Sequence, residues 1–214
     1  MLTEKGPGLL RKELEHFRIG NSYGGNQDWF RTFMMRIGGC GAETACDSCL
    51  YFAIHMGFDK LYPYDLSEIN RKSYVDFAHL MEKYLWPRMS GINRLDIYTE
   101  GLGKYFTDCG EDRITMDTLD GTETAETAAA AIIRQIDSGY PVPTLILNHK
   151  DRRMKDFNWH WFLINGYDER EDGLWVKTVT YSSYLWVSLG QLWETGHKMR
   201  GGLVLYRING EENV

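Results

Sequence analysis

The chain has 214 residues, 43% of them hydrophobic and 14% aromatic, with a formal net charge of −6 and a pI near 5.5. That length holds one ordinary domain, or one domain in two lobes, with a sizeable core. The acidic balance argues against sequence-independent nucleic-acid binding and against an anionic membrane surface, both of which need Lys and Arg to meet phosphates, and no run approaches the ~18 apolar residues of a membrane span.

The first residues, MLTEKGPGLLRKELEHF, carry acidic side chains and no apolar h-region, so no signal peptide is expected and a cytoplasmic protein is. Residues 1–20 are helix-capable, with Leu10, Leu14 and Phe17 giving a weak apolar stripe, and are read as a peripheral arm. Residues 21–39 form a glycine- and aromatic-rich loop that ends in Gly38-Gly39-Cys40-Gly41. The first strong helix covers about 40–56: Ala42, Ala45, Cys46, Cys49, Leu50, Ala53 and Ile54 recur at helical spacing, and Gly57 is a C-terminal stop. A second helix is expected over 66–86, capped by Ser67, with Pro87 beyond its end. Residues 95–106 read as a short helix broken by Gly101 and Gly103.

From about 111 the character changes. Residues 113–120 read as a strand and 122–137 as an alanine-rich helix that Gly139 stops. Strands follow at 144–148, 159–167, 174–179, 184–187 and 202–208, with a polar loop at 149–157 and a short helix at 188–195. Helices first and antiparallel strands afterwards is an α+β pattern.

The chemistry centres on Cys40. A reactive cysteine must be a thiolate, and a helix N-terminus lowers a thiol pKa through its dipole and free amides, as a nearby imidazolium also does. The remaining cysteines, Cys46, Cys49 and Cys109, are expected as free thiols, and Cys46-x-x-Cys49 inside a helix reads as core. Among six histidines, His16 and His79 look exposed, His55 lies about 20 Å along the same helix, and His149 and His197 sit in loops. His160 opens a strand whose first residues can project into a cleft.

The order of these features resembles the papain-like cysteine peptidase superfamily, in particular bacteriocin-processing (double-glycine) peptidase-like bacterial proteins. Three stretches carry the resemblance, in the family's order: Gly39-Cys40-Gly41-Ala42, Ile136-Asp137-Ser138-Gly139-Tyr140-Pro141-Val142, and His160 through Gly166-Tyr167-Asp168. It covers roughly residues 22–208. It implies a papain-like fold in which an N-terminal helical lobe (about 21–110), with the cysteine on its central helix, packs on a C-terminal antiparallel sheet lobe (about 111–210), residues 21–214 forming one domain. It implies Cys40 as nucleophile, His160 as general base and Gln27, thirteen residues upstream of Cys40, as oxyanion donor. It implies a peptide or protein substrate, no cofactor and no metal.

One departure stands out. Relatives orient the histidine with Asp or Asn on the following strand, and the matching offset here holds Thr178. A threonine can accept a hydrogen bond from imidazole but cannot stabilise imidazolium as a carboxylate does. Three classes therefore compete: a cysteine peptidase or acyl-transferase with a Cys-His dyad, a catalytically impaired papain-like fold that holds peptides, and a metal or redox protein built on the cysteines. The sequence leaves the substrate and the oligomeric state open.

Overall fold

The computed structural model describes residues 10–88 and 91–209. Residues 1–9 of the expected arm and 210–214 of the expected domain lie outside the described residues. Three short strands come first: β1 (Arg11–Glu13), β2 (Arg18–Ile19) and β3 (Ser22–Tyr23). The arm is thus extended where a helix-capable stretch was expected. Leu14, Phe17 and Ile19 are buried there, and Leu14 N–H donates to the Asn165 carbonyl at 2.8 Å, so a free sheet edge takes the backbone.

A 3₁₀ turn at Gln27–Trp29 leads to α1 (Phe33–Gly38), which Thr32 caps, and then to α2 (Cys40–Met56). Helix α2 is buried on almost every side from Cys40 to Ala53, more than the single buried face its spacing predicts. A helix buried all round is the central element of its lobe. It ends at Gly57, whose φ of 71° is the left-handed cap position. Helix α3 (Arg71–Met81) is shorter than the expected 66–86: Asn70, not Ser67, caps it in a reciprocal capping box with Ser73. Helix α4 (Leu95–Asp108) runs unbroken through Gly101, because that glycine lets the helix pass against the backbone carbonyl of Tyr84.

The second half supplies β4 (Ile114–Asp120), α5 (Ala125–Asp137), β5 (Val142–Ile146), β6 (His160–Arg170), β7 (Gly173–Thr180), β8 (Ser183–Ser188), α6 (Leu189–Trp193) and β9 (Gly201–Ile208). Their order in the sheet is β4-β9-β5-β6-β7-β8, with β1 also paired to β6, and each of these pairings is antiparallel. Helix α2 packs against β6, joining the helical layer to the sheet through one core that includes Phe52, Tyr206, Trp161 and Tyr98. The Trp161 and Tyr98 rings stack at 4.2 Å with both side chains almost fully buried. The result is an α+β fold with helices packed on an antiparallel sheet. Among the described residues, no helix is long and apolar enough to cross a membrane.

Candidate functional site

Cys40 is the first residue of α2. Gly39 precedes it because a side chain there would strike the Met35 carbonyl and the Phe30 ring, so the two helices meet at an angle only glycine allows. The first turn of α2 lies against β6, a side chain at Gly41 falling 3.5 Å from the Trp161 ring, and the backbone amides of Cys40, Gly41 and Trp161 act to lower the Cys40 thiol pKa. Trp161 directly follows His160, so the start of β6 lies beside the start of α2. Both are buried, Cys40 at 5% and His160 at 4% exposure.

Burial governs the electrostatics. It pushes the Cys40 thiol up to about 11, with the neighbouring Glu43 adding to the rise and the three amides opposing it. It pulls the His160 imidazole down to about 4. Both groups are therefore neutral at pH 7, and the helix dipole does not outweigh desolvation.

The ring of His160 is held on two sides. Its Nε2 lies 2.7 Å from the Thr180 hydroxyl, and the Tyr181 ring stacks on it, centroids 4.9 Å apart and 3° from parallel. The side chain that meets the imidazole is therefore Thr180, not the expected Thr178. Thr178 pairs with Ile164, about 13 Å along the strand from His160, and its hydroxyl donates to the Leu185 carbonyl. A β-bulge sets which face of β7 is turned to the imidazole. The β6–β7 register shifts between Ile164 and Tyr167, at Asn165-Gly166. Without that extra residue the register would slip by one and turn Thr180 to the opposite face. Asn165 at the bulge points away from the site and donates to the Tyr23 hydroxyl.

Three backbone outliers lie beside the imidazole. Trp159, immediately before His160, has φ 53°, and the β7–β8 turn residues Tyr181 and Ser182 have φ 49° and 61°. Positive φ at both centres is the type I′ hairpin geometry that Asn-Gly usually fills, and a non-glycine pair there stores strain of order 1–3 kcal/mol each. The turn is pinned by hydrogen bonds to the 23–25 loop: Ser182 N–H to the Gly25 carbonyl at 2.8 Å, and Tyr23 N–H to the Ser182 carbonyl at 3.0 Å.

Gln27 is also buried, and its Nε2 donates to the Arg36 carbonyl at 2.8 Å, four residues before Cys40. Its second Nε2–H remains for another acceptor, and its Oε1 is buried without a hydrogen-bond partner. The loop that carries it is fastened to α2 by two buried carboxylates. Glu43 Oε2 accepts the Gln27 N–H at 2.9 Å, and Asp47 accepts the Gly25 N–H and, at 2.7 Å, the Tyr74 hydroxyl. A side chain at Gly25 would collide with that hydroxyl, which explains the glycine. His16, expected on an exposed helix face, is instead buried beside Asp47, its Nε2 3.8 Å from Oδ2. Burial and the adjacent Asp47 push Glu43 up to about 8, against the pull of the Gln27 and Tyr181 amides.

Cys46 and Cys49 are fully buried core side chains whose thiols burial holds well above the ordinary range. Among the described residues, no group of three or more His, Cys, Asp or Glu is arranged to hold a metal ion. Thr180 and Tyr181 also line a cleft of about 440 Å³ whose other walls are Asp156, Phe157, Ser183, Tyr184 and Leu185. The stretch expected as a solvated loop at 149–157 supplies two of these walls from a 3₁₀ turn at Arg152–Phe157. Two further clefts, of about 470 and 480 Å³, adjoin α4 and hold neither Cys nor His.

Sequence reasoning missed Thr180, Tyr181 and Glu43. The signals available were a Tyr-Ser pair where a hairpin turn needs Asn-Gly, and a carboxylate three residues into a helix that is otherwise apolar at its start. Compared with family models, curated proteins and solved structures, the chain matches none.

Proposed function

We propose that this chain is a papain-like cysteine hydrolase acting on a peptide or amide, with Cys40 as nucleophile and His160 as base. The observation that supports the reading is that the α2 turn carrying Cys40 packs against Trp161, the neighbour of His160, whose ring is clamped by Thr180 and Tyr181. If Nε2–H donates to Thr180, the lone pair is left on Nδ1, the position from which a base accepts a thiol proton.

In this reading the S–H proton passes to His160 Nδ1 as the sulfur attacks the substrate carbonyl carbon. The carbonyl π pair moves to oxygen, where the Cys40 amide and the second Nε2–H of Gln27 are the available donors. Collapse breaks the C–N bond, the imidazolium gives its proton to the departing amine, and water activated by His160 hydrolyses the thioester. The cleft beside Tyr181 would take an apolar or aromatic side chain of the substrate, since Phe157, Tyr184 and Leu185 line it.

The test is iodoacetamide labelling with mapping of the modified cysteine at pH 6 to 8. Selective modification of Cys40 that falls at least tenfold in His160→Ala supports the dyad. Equal, slow labelling of Cys40, Cys46, Cys49 and Cys109 overturns it. A second reading, a peptide-holding protein without turnover, draws on one observation: a threonine, not a carboxylate or amide, faces Nε2. Selective Cys40 labelling without release of product from a peptide library would favour it.

A further inference from the structure

We propose that Glu43 is the positioning residue of this site: one buried carboxyl holds the loop bearing Gln27 and the turn bearing Tyr181 to the helix bearing Cys40. The inference rests on the cysteine-hydrolase reading and adds the part that assembles it. Glu43 stands three residues after Cys40, so it shares the helix face and leans toward the first turn. Its Oε2 accepts the Gln27 amide at 2.9 Å, and the Tyr181 backbone acts on the same carboxyl from the hairpin that Ser182 ties to Gly25 at 2.8 Å. Those two residues are the proposed oxyanion donor and the ring that covers the His160 imidazole. Three segments distant in sequence therefore meet on one side chain, itself 4% exposed. An apolar residue would leave the Gln27 amide unpaired in the interior.

The acid also sets a pH limit. Facing Glu43 are Asp47, Cys40 and Cys46 on α2, Asp28 on the Gln27 turn, Tyr74 on α3 and Tyr181 on the hairpin, and His16 lies behind Asp47. None of these is a fixed cation, so the carboxyl keeps its proton up to about pH 8. Once ionised, it is a like charge one helical turn from the thiolate that attack requires.

The experiment compares Glu43→Ala and Glu43→Gln, each with and without His160→Ala, by the rate of iodoacetamide labelling at Cys40 from pH 6 to 10. Cys46 and Cys49 serve as internal reporters of unfolding. Glu43→Ala is expected to abolish the His160 dependence of labelling, and Glu43→Gln, which keeps an acceptor oxygen, to preserve it. Above pH 8 the Gln variant should label roughly a hundredfold faster than the wild type, the effect of removing a like charge one helical turn away at an effective dielectric of about 20, and at pH 6 the two should agree. Should Glu43→Ala fail to fold, the Gln comparison alone decides. A Glu43→Ala protein that keeps full His160 dependence, or Gln and wild-type profiles that superpose from pH 6 to 10, overturns the assignment. If His160→Ala leaves labelling of the wild type unchanged, the hydrolase reading itself has failed, and the assignment with it.

Discussion

Replacing Glu43 by Gln should stabilise the fold increasingly as pH rises from 4.5 to 8. The native acid titrates near 8 against an ordinary 4.5, so between those values the native state holds a proton that the unfolded state has lost. A raised acid pKa means stability is fully present below about pH 4.5 and declines as pH climbs toward 8. The gap corresponds to about 5 kcal/mol by pH 8 and about 3 kcal/mol at pH 7. Coupling to Asp47 shares part of that energy, so about half is the expected gain in the variant. Glutamine cannot ionise and avoids the loss, but its NH₂ needs a partner, a penalty of about 1–3 kcal/mol that does not vary with pH. The slope is therefore the diagnostic quantity. Urea unfolding of both proteins at pH 4.5, 6, 7 and 8, with equal m-values, should show the variant gaining about 0.5–1 kcal/mol per pH unit. A difference that stays flat across that range would refute the assignment of Glu43 as a buried neutral acid.

His160 should act in the opposite sense, because its native pKa is lowered to about 4 from 6.5. The wild type should lose about 3 kcal/mol relative to His160→Gln as pH falls from 6.5 to 4, read from urea midpoints. Thr180→Val should lower Cys40 labelling several-fold by freeing the imidazole, whereas Thr178→Val should leave labelling unchanged. Thr180→Asp should raise labelling near pH 6–7 by about tenfold or more, because a carboxylate stabilises imidazolium where a hydroxyl does not. Replacing Tyr181-Ser182 by Asn-Gly should relieve backbone strain and raise stability by about 1–2 kcal/mol while slowing labelling, since the ring stacked on His160 is lost.

Local pattern placed Cys40 at a helix start and His160 at a strand start, because glycine punctuation and hydrophobic spacing act over a few residues. Helix ends were less legible. The 66–86 periodicity continues through α3 into the packed turn at 82–86, and only the Asn70–Ser73 box shows where the helix begins. The misplaced third residue has a sharper cause. The Asn165-Gly166 bulge sets which face of β7 meets His160, and on that face it is Thr180, at the end of β7 beside the hairpin turn, that lies level with the start of β6. Nothing within β7 itself distinguishes Thr178 from Thr180, since both lie on the face of His160. The arm failed for a related reason: Leu14 and Phe17 suit a helical stripe, but the vacant edge of β6 beyond β5 decides the matter over a distance no window covers.

The energetics of the neutral pair bear on which function class fits. Moving the proton from a thiol near 11 to an imidazole near 4 costs about 10 kcal/mol at fixed environment. A contact ion pair about 4 Å apart would return about 4 kcal/mol at an effective dielectric of about 20. The remaining ~6 kcal/mol means the thiolate–imidazolium pair is scarcely populated before substrate arrives. Proton transfer must then accompany attack, with charge developing on the carbonyl oxygen and not resting on sulfur. Such a site favours an electrophile whose oxygen can reach the Cys40 amide and Gln27, whereas iodoacetamide gains only from the proton transfer to His160 that accompanies attack by the sulfur. A thioester or activated amide should therefore react with Cys40 much faster, relative to iodoacetamide, than it does with a free thiol of ordinary pKa. A peptide-holding protein has no reason to show that preference.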